Sequence, residues 1–139
     1  MSKNQLFLDF MSKHTLMTIA TLNSENKSQS AVVGFGQTEN LEIIFGTSKK
    51  SRKATNILNS PDVSVVIGWD EGGTMQYEGK ARLLTGDDVD EYPEIYFRKN
   101  PEARKYRDDP DEIYFLITPT WIRLTEVDKN PWVIHEIKL

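Results

Sequence analysis

Segments whose apolar residues recur at every second position are joined in this chain by only a few residues, and this restricts the fold more than any other feature. A parallel neighbour needs a crossover of roughly a dozen residues or more, so strands joined this closely pair antiparallel. Thr15–Leu22, Ser28–Gln37 and Leu41–Gly46 read as a three-stranded meander. Val63–Trp69 and Thr74–Leu84 read as a hairpin about the turn at 70–73. A last pair, Glu112–Val127 and Trp132–Ile137, carries Pro119, which calls for a bulge or an edge position inside it. Helical spacing appears over 3–12, where Leu6, Phe7, Phe10 and Met11 share a face. A second helix follows Ser48 as N-cap, with Ala54, Ile57 and Leu58 as its stripe, and stops at Asn59-Ser60-Pro61. The acidic, proline-punctuated stretch 86–111 accommodates short helices at Val89–Lys99 and Pro101–Tyr106. The fold class is α+β, with six or seven antiparallel strands, a helix inserted after the third and a few short helices in all. A sheet of that size avoids exposed edges most simply by closing into a barrel. The length, 139 residues, suits a single domain over 1–139.

Composition removes several kinds of chemistry. The chain has no cysteine, which excludes disulfides, thiolate metal sites and a cysteine nucleophile. Two histidines, His14 and His135, are too few for a multi-histidine centre, so no metal is expected. Asp87-Asp88-x-Asp90-Glu91 and Asp108-Asp109-x-Asp111-Glu112 lack the glycine and spacing of a calcium loop, and read as helix-start acids and solvated loop. Gly34-Phe35-Gly36 is half a dinucleotide fingerprint, but it lies on a strand rather than at a strand-to-helix turn. No Gly-x-Ser-x-Gly elbow occurs. A net charge of −4 argues against nucleic acid as partner. No apolar run has the length of a membrane span, and the first residues lack the pattern of a secretion signal, so the expectation is a cytoplasmic chain that does not enter a membrane.

The charge is unevenly spread. Four of the 17 cations, Lys49, Lys50, Arg52 and Lys53, fall within five residues, at the point where a strand gives way to a helix. Cations at a helix N-terminus oppose the macrodipole, at a cost of a few tenths of a kcal/mol each, up to about 1. The free N–H groups there favour an anion. Thr47, Ser48 and Ser51 add hydroxyl donors. From these residues alone two readings stand, a solvated lysine-rich helix start and a site for a phosphate monoester.

The ordered set of segments goes further. Phe45, Thr47, Ser51-Arg52-Lys53, Asn59, Pro61, Trp69 and Gly79-Lys80-Ala81 follow one another in an order and spacing that resembles the pyridoxamine 5′-phosphate oxidase-like family of FMN-binding split barrels, its short, general-stress-type members above all. The likeness covers about residues 12–84 continuously and is looser in the tail. It implies a split barrel binding FMN at a homodimer interface. By this resemblance Arg52 and Lys53 match the phosphate clamp, Thr47 the threonine before it, and Thr74 the position of a glutamine that reaches the flavin ring. Val32, Val33 and Gly34 lie on the strand whose backbone borders the isoalloxazine, and Ser48 and Ser51 join the phosphate end. Trp121 and Trp132 are candidates to cover the ring from the partner.

Departures from the family pattern bear on the substrate. The second strand, SQSAVVGFG, has no cation, and His135 has no arginine two residues before it. Both features of the classical vitamin site are missing, which argues against pyridoxamine 5′-phosphate oxidase activity. The leading expectation is an FMN-dependent oxidoreductase acting on a small molecule or electron donor that the sequence does not name. No catalytic acid or base stands out. The alternative is a non-catalytic carrier or sensor for flavin, deazaflavin F420 or haem on the same barrel.

Overall fold

Alternation decides which way each strand faces, and the computed structural model, which describes residues 1–139, follows it closely. The elements in chain order are α1 (Lys3–Ser12), β1 (Leu16–Leu22), β2 (Ser28–Gly34), β3 (Gly36–Gln37), β4 (Ile43–Ser48), α2 (Arg52–Asn59), β5 (Asp62–Glu71), β6 (Gly73–Leu83), α3 (Asp88–Lys99), a 3₁₀ turn (Pro101–Tyr106), β7 (Glu112–Glu126) and β8 (Val133–Lys138). Along β6, Met75, Tyr77, Gly79 and Ala81 are buried while Gln76, Glu78, Lys80 and Arg82 face out. The strand order is β2-β1-β5-β6-β7-β4-β3, with β8 pairing β7. Every pairing is antiparallel. β2 and β3, at opposite ends of that path, are separated in the chain by Phe35 alone, so the curled sheet bends back on itself there. The result is an antiparallel split barrel with few helices, as its alternation predicts.

The meander stops one strand short. β1 and β2 pair as expected, but β4 leaves them and pairs with β7, Phe45 opposite Phe115. The expected strand over 28–37 breaks at Phe35 into β2 and β3, which pair with different neighbours. The physical reason lies in the run Ile43-Ile44-Phe45, all buried. A strand apolar on both faces needs cover on both. Ile43 and Phe45 join the barrel interior, while Ile44 packs with Leu84, Phe97, Tyr114 and Leu116 beneath α3. β2, with Ser28 and Ser30 exposed, offers no such cover. Pro119 does sit at a bulge, where the β6–β7 register shifts between Glu78 and Gly79. α1 spans the expected residues and buries Phe7 and Met11 in the core.

The corner at Phe35 is held from three sides. Its N–H donates to the Thr15 carbonyl at 3.2 Å. Asn100, just past α3, donates from Nδ2 to its carbonyl at 2.9 Å. The Lys99 ammonium stands 3.6 Å from the centroid of the Phe35 ring. It also donates to the Met11 carbonyl at 3.0 Å and to Gln37 Oε1 at 2.6 Å.

No carboxylate pairs with Lys99, and burial pulls its pKa down to about 7. In the unfolded chain the same amine titrates near 10.4. Between these values the unfolded state binds more protons than the native one, so stability rises with pH. The raised hydroxyl pKa values of Tyr96 and Tyr114 act in the opposite sense at higher pH, once unfolded tyrosine begins to ionise. The melting temperature is therefore expected to climb between about pH 7 and 9. In Lys99→Met this Lys99-dependent rise is lost; equal slopes in the two proteins, measured by circular dichroism, would contradict the assignment.

Candidate functional site

The strand-to-helix junction at 47–53 is built from hydroxyls. Thr47, nearly buried at the end of β4, lies with its Oγ1 3.0 Å from Ser51 Oγ. Ser51 has the extended backbone of an N-cap and accepts from the Ala54 N–H at 3.3 Å. The cap is thus Ser51, not Ser48 as the sequence suggests. Ser48 instead ends β4 and accepts from the Lys50 N–H, which turns the chain before the helix begins. This shift places Lys49 and Lys50 in the turn and only Arg52 and Lys53 in the first helical turn.

The cations then divide. Lys49 and Lys50 both reach Asp111, at 3.6 and 3.1 Å. The Lys49 N–H donates to the Asp111 carbonyl at 2.7 Å. The Lys50 ammonium, hydrogen-bonded to the Asp111 carboxyl, holds it below the usual carboxylate range. Acids read from the sequence as solvated loop thus serve as counter-charge to the basic turn. Arg52 and Lys53 form no ion pair, and the first turn of α2 contains no acid. They line a cavity of about 100 Å³ with Thr21, Gln29, Ser30 and Ala31.

Asn56 fixes this geometry. It is buried in α2 and donates from Nδ2 to Thr21 Oγ1 at 2.9 Å and to Gln29 Oε1 at 3.0 Å. The helix is therefore pinned to both β1 and β2. Leu58, expected in the apolar stripe, is 60% exposed, because the helix turns the Asn56 side towards the barrel instead.

β2 continues past the cavity as an edge strand, paired with β1 alone. Its outer peptide groups lack ladder partners. Val32 is 60% exposed, Val33 turns in against the core, and Gly34 faces the Tyr96 hydroxyl, which would lie 3.2 Å from a Cβ placed there. The remaining candidates stand apart. Thr74 opens β6 opposite Thr125, three strands from β2 along the sheet. Trp121, on β7, donates from Nε1 to Glu136, and Trp132 precedes β8 with 64% of its surface exposed. The structure brings Arg52 and Lys53 to the first half of β2, while Thr47 and Ser51 are bonded to each other at the helix start. It leaves Thr74, Trp121 and Trp132 elsewhere in the chain. Neither histidine lines the cavity: His14 packs on the Phe10 ring and His135 bonds Glu126.

Residues 4–126 match the family model of pyridoxamine 5′-phosphate oxidase. The chain belongs to that family. The match reaches across the barrel and ends at Glu126, so Trp132 and β8 lie outside it. Among family relatives, General stress protein 26 of Bacillus subtilis (strain 168) is 29% identical over 132 residues, 91% of each chain. The solved General Stress Protein 26 of Bacillus anthracis str. Sterne superposes with a TM-score of 0.77 at 20% identity over 100% of both chains. A heme binding protein from Mycobacterium smegmatis gives a TM-score of 0.82 at 17% identity, covering 99% of this chain and 58% of its own. The chain thus spans little more than half of that protein. At these identities the two solved structures show a shared fold. No helix is long and apolar enough to cross a membrane.

The family motif singles out Arg52 and Lys53, but Thr21, Gln29, Asn56 and Asp111 were not legible as their companions. Asn56 gave no signal: two residues after Ala54 and one before Ile57, it lies off the stripe of Ala54, Ile57 and Leu58, on a side where a polar residue reads as solvated. Replacing Asn56 with Leu leaves Thr21 and Gln29 without this donor, and is expected to cost about 2 kcal/mol of stability. Urea unfolding would measure it; a change below about 0.5 kcal/mol, the range of an ordinary surface substitution, would show that α2 is held by apolar packing alone.

Proposed function

We propose that this chain is an FMN-binding flavoprotein, a single split-barrel domain over 1–139 that works as a homodimer and serves as an oxidoreductase towards a small molecule. The observation that carries the reading is the pair Arg52 and Lys53, two cations at a helix start with no anionic partner, set beside the free edge of β2.

The donor set suits a phosphate monoester. Arg52 offers a planar fork and Lys53 a point charge, and charge-assisted bonds from both are among the stronger ones proteins make. Ser51 and Thr47 hold each other and fix the helix start, and Ser48 accepts from the Lys50 N–H in the turn before it. The unpaired peptide groups of β2 through Val32, Val33 and Gly34 are suited to the polar edge of a flavin ring, with no special side chain required. Bound FMN would supply the electron-transfer chemistry, and the protein would supply position and electrostatics. The vitamin phosphate substrate of the classical oxidases fits poorly: β2 carries no cation, and His135 is held by Glu126 at 2.9 Å.

A second copy completes the cleft in this reading. The outer faces of β1, β2 and β5 carry Leu16, Thr18, Ala20, Val32 and Val66, and Leu16 is 49% exposed. A ligand of this size is normally buried over most of its surface, and a twofold partner is the commonest way to bury it. Thr74, Trp121 and Trp132, distant from the cavity within one chain, are assigned to the ring end, the two tryptophans from the partner. Anaerobic bleaching by NADH or NADPH, reversed by an acceptor, separates the oxidoreductase from a non-catalytic carrier.

Two results are expected. Arg52→Ala combined with Lys53→Glu weakens FMN binding by roughly 10²- to 10⁴-fold, since each charge-assisted bond is worth about 1.5–3 kcal/mol, with the circular dichroism spectrum unchanged. Full flavin occupancy in that double variant would remove the clamp. Light scattering of the flavin-loaded protein gives twice the 16.0 kDa of one chain. A single-chain mass with flavin bound would end the shared cleft and the roles of Trp121 and Trp132.

A further inference from the structure

The cavity lined by Arg52 and Lys53 is small. Its volume, about 100 Å³, lies below the roughly 300–1,000 Å³ of pockets that enclose an organic ligand. A larger cavity, of about 380 Å³, opens beside it. The two share Thr21, and their residues on β2, Ser28 in the larger and Gln29 in the smaller, are successive. A group that continues from a phosphate at the clamp has this second space next to it.

Short side chains make its floor. Register places Ser30 of β2, Ala20 of β1, Ser64 of β5 and Glu78 of β6 in one row across the outer face of the sheet. Ser30 belongs to the clamp cavity, and Ala20, Ser64 and Glu78 line the larger one. At about 4.8 Å per strand, the row runs roughly 10 Å from Ser30 to Ser64 and about 14 Å to Glu78. Ala20 and Ser64 rise little above the sheet, so a depression lies between the β1–β2 hairpin and Glu78. The far wall comes from the bulge: Glu78 pairs with Trp121 and Gly79 with Pro119, which leaves Thr120 as the extra residue. The Thr120 hydroxyl donates to the Glu78 carbonyl at 3.2 Å. A Cβ at Gly79 would stand 2.5 Å from the Thr118 carbonyl oxygen, so this wall needs glycine behind it.

The chemistry of the cavity is the reverse of the clamp's. No cation lines it. Asp62 already holds Lys80 at 2.7 Å, which leaves Glu78 as the lining carboxylate without an ion pair. Ser28 and Ser64 add hydroxyls, and Ala20, Leu22 and Val63 add apolar surface. A carboxylate repels a phosphate, so the charged part of a ligand stays at Arg52 and Lys53 and a neutral part enters here. A carboxylate that accepts from a ribose hydroxyl is a recurrent device of nucleotide sites.

We propose that this cavity is a subsite for a ribonucleoside joined to the phosphate at the clamp, with Glu78 accepting from the ribose diol, so that the protein takes the dinucleotide FAD as well as FMN and holds FAD more tightly. The proposal rests on the reading of Arg52 and Lys53 as a flavin phosphate site. In FMN the phosphate ends the molecule; in FAD a second phosphate and adenosine continue from it, and the row from Ser30 to Glu78 is the surface on which they lie.

The test titrates the full chain with FMN, FAD and ADP by isothermal calorimetry, beside Ser64→Phe, which fills the floor, and Glu78→Gln, which keeps the shape and removes the charge. Wild type is expected to bind FAD roughly tenfold more tightly than FMN, the effect of one charge-assisted hydrogen bond. Ser64→Phe removes that margin and leaves the FMN dissociation constant unchanged. Glu78→Gln removes most of it, and carries the comparison if the phenylalanine variant does not fold. Equal affinity for FMN and FAD in wild type, or equal losses of both in Ser64→Phe, would overturn the subsite; FMN binding that still depends on Arg52 and Lys53 would then leave the flavin reading standing. ADP binding that is lost in Ser64→Phe and in the Arg52→Ala, Lys53→Glu double variant, with neither flavin bound, would leave the nucleoside subsite standing and overturn the flavin reading.

Discussion

The bend at Phe35 is the constraint on which the rest of the molecule depends. The chain passes from one end of the sheet path to the other within a single residue, and β2, paired with β1 alone, has no ladder partner on its outer edge. An unpaired edge is ordinarily a liability that a protein covers or charges. Here α2 is brought to one end of that edge by Asn56, and α3 holds the corner at the other end through Lys99 and Asn100. The bend is fixed by a backbone bond to Thr15, a side-chain amide and a lysine over an aromatic ring. Apolar contact alone would leave room for slippage, whereas a buried peptide carbonyl with one donor has a defined position.

The cleft's electrostatics follow from a division of labour among neighbours in sequence. A block of four cations at one helix start is unfavourable as a bare arrangement. Moving the cap from Ser48 to Ser51 splits the block. Lys49 and Lys50 fall outside the helix, where Asp111 neutralises them, and the backbone bond between Lys49 and Asp111 fixes that loop against the turn. Arg52 and Lys53 form no ion pair and line the cavity beside Gln29, Ser30 and Ala31 of β2. In an acidic protein this pair is a local reversal of sign.

Much of the fold was legible because alternation and short connections are local properties. α1, the β5–β6 hairpin, the bulge at Pro119, α3 and the following 3₁₀ turn stand within a residue or two of where the pattern put them. The partner of β4 was not legible. A buried run such as Ile43-Ile44-Phe45 says that both faces need cover, but the cover is β7 and α3, more than 40 residues further on. The site divides in the same way. The clamp motif is contiguous and readable, whereas Gln29 and Thr21 become part of it only when Asn56 joins three elements. The acids at 108–112 looked like solvated loop because nothing in their own spacing points to residue 49 or 50.

The position of Tyr114 and Glu112 over Gly46 adds a last constraint. β4 must be apolar inwards to close the barrel and bare at 46 outwards, or its neighbour on β7 has no room. A side chain at 46 would displace the Tyr114 ring, which stacks edge-on to Phe97 at 5.9 Å and so supports α3. α3 in turn supplies Lys99 and Asn100 to the Phe35 bend. A substitution at Gly46 therefore reaches the Phe35 bend, and with it the end of β2, through Tyr114, Phe97 and α3. That coupling ties the sheet's outer packing to its open edge: the layer that stabilises the barrel from outside also holds the corner at which β2 ends.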